Sequence, residues 1–134
     1  MKQFYFLLFL FAGFYVQAQS IAAGSGNPNA TIDENGKIFN NGNQVGKIQQ
    51  TGEIMNMSNV TIGYVLENGM IQNASKTLVG YFMGNYEVHD ASHIVIGRMT
   101  STRDVLNVAN TKIGIWKHPL KPEWVTVAYF FFQN

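Results

Sequence analysis

Residues 62–80, IGYVLENGMIQNASKTLVG, contain one full period of a repeat that decides the fold. Val45-Gly46, Ile62-Gly63, Val79-Gly80, Ile96-Gly97 and Ile113-Gly114 recur at a constant step of 17 residues, and no other Val-Gly or Ile-Gly pair occurs in the 134-residue chain. Chance does not produce such a register, so the chain is built from equivalent units. A second column, Ile38, Ile54, Ile71, Val88 and Val105, runs alongside, with Gly36, Gly52 and Gly69 two residues before its first three members. Two residues after the other glycines come Ile48, Val65, Phe82, Met99 and Trp116, all apolar.

Each unit therefore holds two short segments rich in β-branched and aromatic residues, separated by turn-formers such as Asn40-Asn41-Gly42-Asn43, Asn73-Ala74-Ser75 and Asp90-Ala91-Ser92. That is the pattern of a chain of β-hairpins. Proline is absent between Pro28 and Pro119, as unbroken strand ladders require, and no sustained 3.6-residue apolar period supports helix in this region. Glycine weakens a strand interior, so five in register (Gly46, Gly63, Gly80, Gly97 and Gly114) imply a shared constraint. The simplest is that five equivalent strands converge where a Cβ would collide. A closed ring meets that requirement more naturally than an open solenoid, whose ends need caps.

These five units, G-x-I … [VI]-G-[KYI] over residues 32–116 behind a leader ending in Ala-Gln, resemble the secreted five-fold β-flower proteins. Units four and five depart from the pattern, with Tyr86 and Arg103 at the Gly36, Gly52 and Gly69 position. The resemblance implies five hairpin petals around a pseudo-five-fold axis and carries no activity, cofactor or site residue. The expected fold is all-β, a closed ring of hairpin repeats at about 32–47, 48–64, 65–81, 82–98 and 99–115. A closing segment, 116–134, follows. Within it Trp124 to Gln133, WVTVAYFFFQ, is a strong β-former run and is expected as a buried closing strand.

The first residues, MKQFYFLLFLFAGFYVQAQS, read as an export signal: Lys2, then an apolar run from Phe4 to Val16, then Val16-Gln17-Ala18 as the cleavage site. Residues 1–18 are expected to be removed and the run is short for a membrane span, so the mature chain has none. Residues 19–31, small and Gly- and Asn-rich, read as a flexible arm. The chain is 46% hydrophobic, 13% charged and lacks Cys, which removes disulfides, thiolate metal sites and thiol catalysis. Without Lys2 its basic and acidic residues balance, so it offers no field to steer nucleic acid.

His89 and His93 flank a turn beside Asp90, a constellation a transition metal could use, yet a competent site needs a further fixed ligand, and His118 lies outside the repeat. No metal or cofactor is expected. Ser92, Ser101 and Asp104 come without a nucleophile elbow, Glu53, Glu67 and Glu87 are scattered over turns, and no phosphate-cradling G-K-[ST] occurs. Catalysis is therefore not expected. Asn29, Asn56, Asn59 and Asn73 begin N-x-[ST] triplets and read as turn residues. Tyr64, Tyr81 and Arg98 follow the repeated glycine in three successive units, in a column with Lys47 and Ile115. They either pack between petals or stack on a sugar or peptide. The expected role is a secreted or periplasmic structural or adhesive scaffold, with a small-ligand or glycan module on one face of the ring as the alternative and a protein or glycan of the envelope as partner.

Overall fold

The computed structural model describes residues 20–133; the leader at 1–18 and its cleavage site after Ala18 lie outside them. Five hairpins follow one another: β3 (Lys37–Asn40) with β4 (Asn43–Ile48), β5 (Glu53–Asn56) with β6 (Thr61–Val65), β7 (Met70–Asn73) with β8 (Leu78–Phe82), β9 (Glu87–Asp90) with β10 (Val95–Met99), and β11 (Asp104–Asn107) with β12 (Lys112–Ile115). Preceded by β2 (Ala30–Ile32), they form one 11-stranded antiparallel sheet in chain order, curled into a nearly closed ring.

The repeated Val/Ile-Gly pair is a β-bulge. In the first petal Ile38 faces Gly46 while Phe39 faces Gln44, which leaves Val45 as the extra residue. Ile62, Val79, Ile96 and Ile113 are the extra residues of the other four petals. A bulge bends its strand and increases the local twist, so five in register curl the sheet. The two sequence columns meet here, because Ile38, Ile54, Ile71, Val88 and Val105 pair with the five glycines. None of those five apolar residues is more than 1% exposed.

The turns repeat as faithfully. At four hairpin tips the side-chain oxygen of Asn56, Asn73, Asp90 or Asn107 accepts from the amides two and four residues on, at 2.9–3.0 Å. Short Asx side chains are suited to this local bonding. Between petals, the carbonyls of Gly36, Gly52, Gly69, Tyr86 and Arg103 accept from Ile48, Val65, Phe82, Met99 and Trp116 at 2.7–2.9 Å. Tyr86 and Arg103 keep the left-handed backbone of the glycines they replace, at φ 68° and 69°. The departure in units four and five therefore leaves the turn intact.

The expected closing strand is instead a helix. Helix α1 (Pro122–Thr126) runs on as a π-helical turn, Val127–Phe131, and only β13 (Phe132–Gln133) is extended. β-Formers fit a pleated, half-buried surface, but Val125, Val127, Ala128, Phe130 and Phe131 are at most 1% exposed inside the ring. A segment buried all round must satisfy its own backbone groups, which a helix does and a lone strand cannot. Pro122 opens the helix at a position where no N–H is needed. Thr126, the buried polar residue of the core, donates its hydroxyl to the Pro122 carbonyl at 3.0 Å.

Residues 20–31 are likewise not a flexible arm. Strand β1 (Ser20–Ile21) pairs with β13. The amides of Ala22, Gly24 and Asn27 then donate to the carbonyls of Phe131, Phe130 and Tyr129 at 3.0, 2.8 and 2.9 Å. Carbonyls at a helix C-terminus lack partners within the helix, and here the incoming chain supplies them.

This helix also explains the glycine column, together with the expected strand crowding, since a Cβ at Gly46, Gly63, Gly80 or Gly97 would also lie 2.5–2.8 Å from a carbonyl of the next strand. A Cβ at Gly114 would strike Tyr129, one at Gly97 Phe130, one at Gly80 Phe131, one at Gly46 Phe132 and one at Gly63 Ile21. Each petal thus offers a seat, and the central segments fill all five. Tyr129, Phe130 and Phe131 are consecutive yet meet petals five, four and three. An α-helix turns about 100° per residue, more than the roughly 60–72° between neighbours in a ring of five to six petals. The wider winding of a π-helix reduces that step, so successive rings meet successive petals.

Candidate functional site

Glycines that face inward put the next residue of each strand on the outer wall. Tyr64 and Tyr81 are half-buried there and Arg98 is exposed. They sit two strands apart, about 10 Å, with Gln72 and His89 on the strands between, so the tyrosines do not pack on each other. Each has its own local partner. The Lys76 ammonium lies 5.5 Å from the Tyr64 ring, and His93 stacks on Tyr81 at 4.9 Å and 11°. Lys76 and His93 occupy the same left-handed tip position of successive petals, φ 63° and 65°.

Arg98 faces Glu87 across the ladder. The Glu87 carboxylate bonds His89 Nε2 at 3.0 Å and accepts from the Asn85 amide at 3.1 Å. The His89 hydrogen bond, then that of Asn85, holds the Glu87 pKa below its ordinary value. His89 is largely buried, and its Nδ1 has no hydrogen-bond partner among the described residues. The three residues that could have shared a metal are each engaged elsewhere: His89 on Glu87, His93 on Tyr81, and Asp90 on the amides of Ser92 and Ile94. Among the described residues no group of three or more His, Asp or Glu is placed to hold a metal ion.

The remaining polar candidates are similarly dispersed. Asp104 pairs with Lys112 at 3.1 Å, Glu53 accepts from the Thr61 hydroxyl at 2.9 Å, and Ser92 and Ser101 lie in turns at opposite ends of β10. His118 lines an open cavity of about 420 Å³ with Lys117, Leu120, Ile32, Asp33 and Phe39. No helix among the described residues is long and apolar enough to cross a membrane, which says nothing of strands.

Two features escape the sequence columns. Over petals three to five, Tyr86 contacts Phe82 and Trp116, with ring centroids 6.1 and 6.2 Å apart, and the Arg103 guanidinium lies 5.2 Å from the Trp116 ring. The side chains that break the glycine pattern therefore gather around one tryptophan, and the break itself is the signal that marks them. The second feature is Tyr129, the one hydroxyl in the YFFF run. Burial pushes its phenol pKa up, while a hydrogen bond with the Ile115 backbone opposes the shift. A bond that favours the phenolate is one the Ile115 N–H donates.

A family model described as a 5-fold beta-flower protein matches residues 18–133. No curated protein and no solved structure matches the chain.

Proposed function

The chain belongs to the 5-fold β-flower family, and on that premise we propose that it is an exported, non-catalytic scaffold that works by non-covalent contact at the cell envelope or beyond it. Export rests on the order of Lys2, apolar run and Val16-Gln17-Ala18. One observation carries the scaffold reading. The interior, where a ring of this kind would hold a ligand, is filled by the chain's own C-terminal segment, with Phe130 and Phe131 at most 1% exposed. The repeated Asx side chains support it too, since they are occupied in capping turns rather than converging on a reacting atom.

A second reading, a glycan or small-ligand module, is favoured by the outer wall, where the Tyr81–His93 stack stands beside Tyr64 and Arg98. A thermal-shift screen of mature protein against glycans and small molecules separates the two. A specific ligand raises the melting temperature with the logarithm of its concentration. The scaffold reading expects no such ligand, and a saturable shift lost on Tyr81→Ala would replace it by the binding-module reading.

A further inference from the structure

The ring is built from five and a half petals. Strand β2 meets β3 in the register by which each second strand meets the next petal. Ala30, Thr31 and Ile32 face Asn40, Phe39 and Ile38, as Gly46, Lys47 and Ile48 face Asn56, Met55 and Ile54. Its following turn repeats as well, because the Asp33 amide donates to the Lys37 carbonyl as the Gln49 amide does to that of Glu53. Among the described residues, strand β2 is thus the second half of a petal without a first strand.

Parity then fixes what the gap accepts. The 11 strands alternate in direction, so the terminal strands β2 and β12 run parallel and cannot close an antiparallel ladder together. A single strand antiparallel to both would complete a sixth petal. The β12 edge is exposed at its C-terminal end, where Gly114 is only half-buried while the other four column glycines are buried and Ile115 is 46% exposed; at Ile113 the incoming chain lies against it through Gly26.

Tyr129 marks the vacancy at atomic level. At Gly46, Gly63, Gly80 and Gly97 a Cβ would lie 2.5–2.8 Å from the carbonyl of Met55, Gln72, His89 or Leu106, each on the next strand. At Gly114 the Tyr129 hydroxyl stands in that place, and it takes the Ile115 N–H that a neighbouring strand would otherwise receive. A side-chain hydroxyl is a displaceable stand-in for a backbone acceptor. Unpaired strand edges are sites of strand addition by extended peptides.

We propose that the seam between β12 and β2 binds an extended segment of a partner protein, which adds as one antiparallel strand and displaces the Tyr129 hydroxyl from the Ile115 amide. The proposal deepens the scaffold reading and rests on it. The chain's own first strands define the segment: Gly36-Lys37-Ile38-Phe39-Asn40, Gly52-Glu53-Ile54-Met55-Asn56 and Gly69-Met70-Ile71-Gln72-Asn73 share a β-branched residue two before an Asn. The partner is therefore expected to present Gly-x-Ile/Val-x-Asn in an exposed stretch. Lys117 and His118 on one side and Asp33 and Glu34 on the other line the cavity at one end of the seam.

The probe is a labelled peptide copying residues 34–40, ENGKIFN, titrated into mature protein by fluorescence anisotropy and amide NMR. Wild type should bind it and shift the Ile115 and Ile32 amides. Tyr129→Phe, which removes the competing hydroxyl, should tighten binding about fivefold, the equivalent of one hydrogen bond. A peptide with Pro in place of the Ile should not bind, which keeps the test valid if an Ile115→Pro variant fails to fold. No binding at millimolar peptide, or amide shifts confined to the outer wall, would overturn the seam while leaving the scaffold reading in place. Self-association through β12 that the peptide does not compete would assign the edge to a second copy and also overturn the proposal. A glycan hit in the thermal screen would instead remove the scaffold reading on which it rests.

Discussion

Gly80→Ala adds one methyl group at the place where the third petal meets the central helix. Its carbon would lie 2.5 Å from the His89 carbonyl oxygen and closer still to the Phe131 ring. Neither neighbour yields easily, since the carbonyl belongs to the strand ladder and the ring is fully buried. Overpacking a close-packed interior costs about 1–3 kcal/mol, and contact with backbone places this site near 3 kcal/mol. For a domain of this length that lowers Tm by roughly 10 °C. Gly84→Ala is the matched control: its Cβ meets nothing within 4 Å among the described residues, so the same substitution should be neutral or slightly stabilising through the unfolded chain. Thermal unfolding of both proteins, followed by circular dichroism, gives the comparison. Adding Phe131→Leu to Gly80→Ala should recover part of the loss, with a coupling of about 1 kcal/mol. Equal melting temperatures for Gly80→Ala and Gly84→Ala would refute the seating of Phe131 on petal three.

Asn73→Ala removes both side-chain bonds to the Ser75 and Thr77 amides and should cost about 1–2 kcal/mol, whereas Asp90→Asn keeps the acceptor and should melt within a degree or two of wild type. The raised phenol pKa of Tyr129 means that its contribution is intact below the ordinary tyrosine value and is lost as pH rises above it. Urea titrations at pH 8 to 11 should show an alkaline loss of stability that is reduced in Tyr129→Phe, which is itself weakened at neutral pH by the unpaired Ile115 amide. The lowered pKa of Glu87, held first by His89, has the opposite sign: its stabilisation is present above the ordinary carboxylate value and fades as pH falls through the folded one. Glu87→Gln should therefore flatten the acid limb of the stability curve, and an unchanged limb would show that the Glu87–His89 contact contributes nothing.

The petals were legible because their determinants are local. The bulge pair, the Ile/Val column and the Asx tips are fixed by neighbours within one 17-residue unit, so they repeat in the sequence as they repeat in space. The C-terminal segment was not legible for the converse reason. Trp124 to Gln133 carries strand-forming residues, and only burial on every side inside a ring made by residues 30–115 turns it into a helix. Its match to the petals is hidden as well, since Tyr129, Phe130 and Phe131 advance by one residue while the glycines they fill advance by 17. Strand β2 was obscured because Ala30 stands where the other units have glycine and no Val or Ile precedes it. On the outer wall the column of Tyr64, Tyr81 and Arg98 could be read directly. Its partners could not, because Lys76 and His93 reach it from hairpin tips whose left-handed backbone sets their direction.

A nuclear Overhauser spectrum of the protein tests most directly whether the C-terminal helix fills the flower and seats on its glycines. The aromatic protons of Tyr129, Phe130, Phe131 and Phe132 should give cross-peaks to the Hα protons of Gly114, Gly97, Gly80 and Gly46 respectively, with Ile21 methyls to Gly63. Cross-peaks between those rings and a single neighbouring strand, together with extended-chain carbon shifts across residues 124–133, would contradict it and restore a closing strand.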